Sequence, residues 1–346
     1  MTSRERVLSA FRHEEPDIVP RWCGASPEFW DKAKKALNLN DESLRIRFGD
    51  DFRRVIAPYV KTQELSSGVS FRTPFGIERK GIGYGQPISH PLTKASLTDL
   101  HDYPWPDASH IDVSKLRAEI NAWNGYYAVL GGDWSPFWHD AIDLVGMETL
   151  FFKMYDDPKF IDKLLDYIVS FYEKSSLRIF EEAADIMDVF FIGNDFGSQT
   201  GPLLGPDLFQ RFILPHLQKL INLGHDYDLL VQLHCCGGFE PLLPCMIEAG
   251  LDAVHAIQPS CHGMELKILK QRYGDQIVFN GCIDSHHILI DGESPDFVRE
   301  QTLKVLSIMA PGGGYVAGAS HDSILVETPV DNVLVMFDAV EEFSRS

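Results

Sequence analysis

The stretch VQLHCCGGFE, residues 231–240, sets a histidine and two adjacent cysteines between an apolar run and a glycine pair. Side chains i and i+2 of a strand share a face, so His234 and Cys236 project together while Cys235 turns away. Imidazole nitrogen and thiolate sulfur both suit Zn²⁺, at about 2.0–2.3 Å. Two such donors make half of a tetrahedron, and the Gly237–Gly238 turn lets the backbone clear an ion. The same residues would also serve as a buried cysteine pair beside a satisfied histidine, so a third donor has to come from elsewhere. His321, closing the last predicted strand, is the best placed, with Cys282 in reserve. Asp195 suits a fourth position that is given up when substrate arrives, because a catalytic zinc site keeps one exchangeable position.

These residues need elements to position them. Buried apolar runs ending in glycine and polar residues recur at 126–134, 187–197, 228–238, 251–259, 276–284 and 313–322. Between them lie helical patterns such as PKFIDKLLDYIVSFYEKSSLRIFEEA and PDLFQRFILPHLQKLINLGHDY, the second with a kink expected at Pro215. Strand–helix alternation predicts a parallel α/β fold. Five of these six runs end in Asp133, Asn194–Asp195, His234–Cys236, Asp284 or His321–Asp322, as in barrels whose active sites collect at the carboxyl ends of the strands. No G-x-G-x-x-G turn supports a dinucleotide fold. The prediction is one TIM (β/α)8 barrel domain over 1–346. Residues 1–120 form a hairpin-rich extension with the first barrel elements, and 121–346 form the regular repeats. Ser3 is expected to cap the first helix.

With 50 acidic against 31 basic residues and a net charge of −19, a nucleic-acid partner is disfavoured by repulsion. No window approaches a membrane span or a signal peptide, so a cytoplasmic location with six reduced cysteines is expected. Asp195 and Asp284 are the candidate catalytic acids. Asn194, Trp22, Tyr84 and Trp134 are candidates for holding a small-molecule substrate, although core packing is the plainer use of such tryptophans. His286 and His287 diverge at a helix start and read as surface or loop.

SRERVLSAFRHEEPDIVPRW resembles the opening of the uroporphyrinogen decarboxylase superfamily, which includes decarboxylases and zinc-dependent methyltransferases that use methylated corrinoid proteins. The resemblance continues through HPLTKASLTDLHDYPWPD, DFGSQTGPLLGPDLFQRFILPHL, LHCCGG with MIEAGLDAV, VFNGCID and TPVDNVLVMFDAV. The decarboxylase's arginine-bearing segment after VPRW is here WCGASPEF, whereas His234, Cys236 and Gly237 match the methyltransferases' H-x-C-G. The methyltransferases' third ligand is a cysteine near the end of the last strand, where this chain has His321. The resemblance thus implies zinc, methyl transfer to or from a corrinoid on a separate protein, and a homodimer. Two rival readings stay open. One is a metal-free decarboxylase using an acid such as Asp50; the other is a non-catalytic barrel whose metal is closed off by four protein ligands.

Overall fold

The computed structural model describes residues 1–61, 70–81 and 85–345. Its strands are β1 (Phe52–Arg54), β2 (Ser70–Arg72), β3 (Glu78–Lys80), β4 (Gln86–Pro87), β5 (Ala128–Gly131), β6 (Val189–Gly193), β7 (Gly197–Ser198), β8 (Gly201–Pro202), β9 (Leu230–His234), β10 (Ala253–Ile257), β11 (Val278–Ile283) and β12 (Tyr315–Ala319). Seven of them form a parallel sheet in the order β1-β5-β6-β9-β10-β11-β12. An extended segment completes the ring. Arg21 bridges Ala317 of β12 on one side, and on the other its carbonyl accepts the amide of Asp51, beside β1, at 3.0 Å. The expected barrel is therefore present, with its eighth stave too short to be a regular strand.

Period-two alternation sorts the strand residues into two cores. Ala128, Leu130, Val189, Phe191, Ala253, Val278 and Val316 point into the barrel, where they meet Trp22 and Phe52. Val129, Phe190, Ile192, Val231, Leu233, Val254 and Phe279 point outward beneath the helices. The helix Ser3–Phe11 adds Val7 and Phe11 to the inner cluster, against residues that begin their strands, and so seals the amino end of the barrel. Its cap is Thr2, whose side chain accepts from the Glu5 amide in a capping box, rather than the expected Ser3.

The long helix Pro158–Ala183 spans the predicted segment. The next one reads as a π-helical turn, Phe209–Ile213, leading into Leu214–His225. Pro215 has no N–H to donate, and the irregular turn just before it takes up the expected kink. The extension carries the small antiparallel sheet β2-β3-β4, as its glycine- and proline-rich sequence suggested. Among the described residues no helix is long and apolar enough to cross a membrane.

Candidate metal centre

At the carboxyl end of the barrel a cavity of about 850 Å³ opens, lined in part by Trp134, His139, Asp195, His234, Cys236 and His321. His234 ends β9 facing inward and is 5% exposed, while Cys235 is buried on the outer side, its sulfur accepting the Phe196 amide. Cys236 Sγ lies 3.3 Å from His234 Nε2. Asp195 completes the group: its Oδ1 accepts the Cys236 amide at 2.8 Å and lies 3.4 Å from His234 Nε2. One donor atom from each of Asp195, His234 and Cys236 falls within 4.8 Å of the others. A nitrogen, a sulfur and an oxygen converging on an open cavity fit a zinc ion with one position left for substrate.

The glycines have a different role from the one expected. A Cβ on Gly237, at φ +87°, would sit 2.4 Å from the carbonyl carbon of Gly197, and the Gly238 amide donates to Ser198 O at 2.7 Å. They let the loop that carries Asp195 dock backbone to backbone on the loop that carries Cys236. Gly193 likewise admits the Trp134 ring, 1.9 Å from where its Cβ would be. Trp134 thus reaches the mouth, 5.5 Å between ring centroids from His234, with the Arg54 guanidinium 4.7 Å from its own ring centroid.

Charge is balanced within the cluster. Burial works to raise the Asp195 carboxyl, but hydrogen bonds from His139 and His234 outweigh it and hold the group well below the usual carboxylate range. His139 Nε2 lies 3.2 Å from Asp195 Oδ2, on the side facing solvent. Burial opposes charge on His234, yet Cys236 and Asp195 raise it above its ordinary value. Cations and protons therefore compete for one negatively biased pocket.

Several expected site residues sit elsewhere. His321 lines the same cavity but is not among the clustered donors: it lies past the end of β12, where its Nδ1 is 3.1 Å from the Ser323 amide. Cys282, the reserve ligand, faces the outer core, fully buried, where burial pushes its thiol up. Asn194 is wholly buried and ties Ser135 O to the Trp138 amide, so it holds a loop rather than a substrate. Asp284 caps the turn Ser285–Ile290 by accepting the His286 and His287 amides, and it borders a neighbouring cavity of about 520 Å³. Trp22 packs inside the barrel on Phe52 and Phe191, because the closing segment turns it inward. Tyr84 lies outside the described residues. His286 and His287 are exposed, as expected. Asp50 is buried against Arg45, 2.7 Å away, and Arg53, and does not reach the mouth.

Sequence reasoning passed over His139 and His255. His255 is buried inside the barrel with its Nδ1 3.1 Å from His234 Nδ1. The strand reading of 251–259 already put it on the face shared by Ala253, and that alternation was the available signal.

A closed parallel barrel with a donor cluster and a cavity at its carboxyl end places the chain in the TIM-barrel class. Residues 96–343 match the family model for uroporphyrinogen decarboxylase (URO-D), and the chain belongs to that family. Relatives of two kinds match it. A uroporphyrinogen decarboxylase of Actinobacillus succinogenes is 23% identical over 99% of this chain and 98% of its own. A methylcobamide:CoM methyltransferase, MtbA, of Methanosarcina mazei is 22% identical over 91% and 93%. A solved methyltransferase from Methanosarcina mazei superposes with a TM-score of 0.69 at 19% identity, covering 99% of both chains, and shows the same fold.

Proposed function

We propose that the protein is a zinc-dependent methyltransferase that moves a methyl group between a small thiol, methyl ether or methylamine and a corrinoid carried by a separate protein. The observation that carries this reading is the convergence of His234 Nε2, Cys236 Sγ and an Asp195 oxygen at an open cavity. A relative named as a methylcobamide:CoM methyltransferase supports it.

Zinc bound there would supply Lewis acidity, lowering the proton affinity of a thiol or polarising an ether or amine. The protein's own groups do the rest. Cys236 and His234 fix the place of reaction. Asp195 Oδ2, next to His139 Nε2, offers a route by which a proton leaves toward solvent or returns from it. Trp134 forms an apolar wall against which a methyl group can lie and helps exclude water. The methyl moves with its bonding electrons left on the departing atom, so in-line orientation is the main demand on the cavity.

The test combines metal analysis with two turnover assays. The expected result is one zinc per chain and thiol-dependent demethylation of methylcobalamin, followed by its visible spectrum. A protein free of zinc after reconstitution that releases CO₂ from uroporphyrinogen would instead establish the decarboxylase reading, for which the URO-D relatives speak.

A further inference from the structure

His255 is a fully enclosed ionisable group beside the cluster. It lies on the inward face of β10, in register with His234 on β9, and its side chain is fully buried. The two imidazoles meet Nδ1 to Nδ1 at 3.1 Å. Between two nitrogens at that distance there is room for one proton, so one ring donates and the other accepts. On its opposite edge His234 presents Nε2 to Cys236 and Asp195. An imidazole that offers its Nε2 lone pair to a cation carries its proton on Nδ1, and here that proton points at His255.

We propose that His255 is a positioning residue: its Nδ1 accepts the Nδ1 proton of His234 and thereby keeps the His234 Nε2 lone pair turned toward Cys236 and Asp195. This rests on the metal reading above and adds the atom that makes His234 a competent ligand. Histidine ligands need such a partner to fix tautomer and ring orientation, and losing it costs about 10- to 100-fold in metal affinity.

The rival role is ligation, because His234, His255 and Asp322 also bring donor atoms within 4.8 Å of one another. Packing favours support. The His255 ring is held edge-on by Trp22 and Phe191, at 5.2 and 5.4 Å between centroids. Its Nε2 shares the barrel interior with Trp22 Nε1, Gln232 Nε2 and Asn280 Oδ1, all buried and without a partner among the described residues. Gln232 and Asn280 are themselves joined at 3.3 Å. A proton on His255 Nε2 gives this interior set donors alongside the Asn280 acceptor, a mixture that ordered water can satisfy. That proton placement leaves His255 Nδ1 free to accept.

The test compares His255→Phe, His255→Asn and His255→Gln with the wild-type chain. An asparagine oxygen falls near the place of Nδ1, whereas the glutamine amide reaches the place of Nε2. Zinc dissociation constants come from competition with a chromophoric chelator, and the visible spectrum of bound Co²⁺ reports ligand geometry. The phenylalanine and glutamine variants should bind zinc about 10- to 100-fold more weakly, with asparagine restoring most of the loss and the wild-type cobalt spectrum. Equal binding by His255→Phe and wild type overturns the proposal while leaving the metal reading intact. A wild-type chain that binds neither metal ends both. Should the variants fail to fold, ¹⁵N correlation spectra of the zinc-loaded wild type decide: a proton on His255 Nδ1 refutes the assignment, and one on His234 Nδ1 with His255 Nδ1 bare supports it.

Discussion

Replacing Asp140 by asparagine should remove a large part of the loss of stability that the protein suffers between mildly acid and neutral pH. Asp140 sits on the helix Phe137–Val145, which also carries His139, and its carboxylate accepts a short hydrogen bond from Tyr172. Burial pushes the carboxyl from its ordinary 3.8 up to about 7. The folded chain therefore holds this proton more tightly than the unfolded chain. Stability from the group is fully present below about pH 3.8 and is lost as pH rises through about 7. At 1.36 kcal/mol per pH unit the loss amounts to about 4 kcal/mol. Unfolding entropy of about 2.1 cal/mol/K per residue gives roughly 0.7 kcal/mol/K for a chain of this length, so about 4 kcal/mol corresponds to about 6 °C in Tm. Asp50 and Asp133, each raised by burial to about 6, slope in the same direction, so the informative quantity is the difference between wild type and variant. Thermal denaturation across this pH range should show the gap closing in favour of the asparagine variant as pH rises. Parallel curves would refute the account of Asp140 as a proton held by burial.

Asp195→Ala should weaken zinc binding by at least the roughly 10- to 100-fold that loss of a supporting partner costs, while His321→Ala leaves affinity unchanged; the reverse order in a chelator competition would restore His321 as the ligand. Gly193→Ala should destabilise by about 1–3 kcal/mol, because the new methyl collides with the Trp134 ring, and denaturant melts with tryptophan fluorescence would show both the loss and the displaced ring. His216, lowered by burial to about 4 from 6.5, contributes stability that is present above about pH 6.5 and lost as pH falls through about 4. In His216→Phe that acid-side decline should shrink by about 3 kcal/mol, and an unchanged acid limb in urea melts would count against it.

The barrel was legible because its strands are continuous apolar runs stopped by glycine and acid, a pattern that only a doubly covered parallel sheet requires. His234 was legible for a similar reason, and Cys236, two residues on and just past the end of β9, still falls beside it. What failed was the assumption that every polar residue at a strand end turns into the mouth. Asp284 found the amides of His286 and His287, two and three residues on, and Asn194 found a loop to tie down. His321 does line the mouth, but it lies beyond its strand, and the local backbone leaves its ring out of the donor cluster. His255 was hidden for the opposite reason: a histidine inside an apolar run looks like packing until its neighbour across the ladder is known to be another histidine.

The stopper formed by Val7 and Phe11 closes the amino end of the barrel among the described residues and leaves the carboxyl end as the way in. Under the proposed methyl transfer, a small methylated compound and a bulky corrinoid carrier would have to queue at that threshold, and whichever stands there first would decide when the other enters. Rate measurements with both partners varied together should carry the mark of that queue, as mutual inhibition at high concentration.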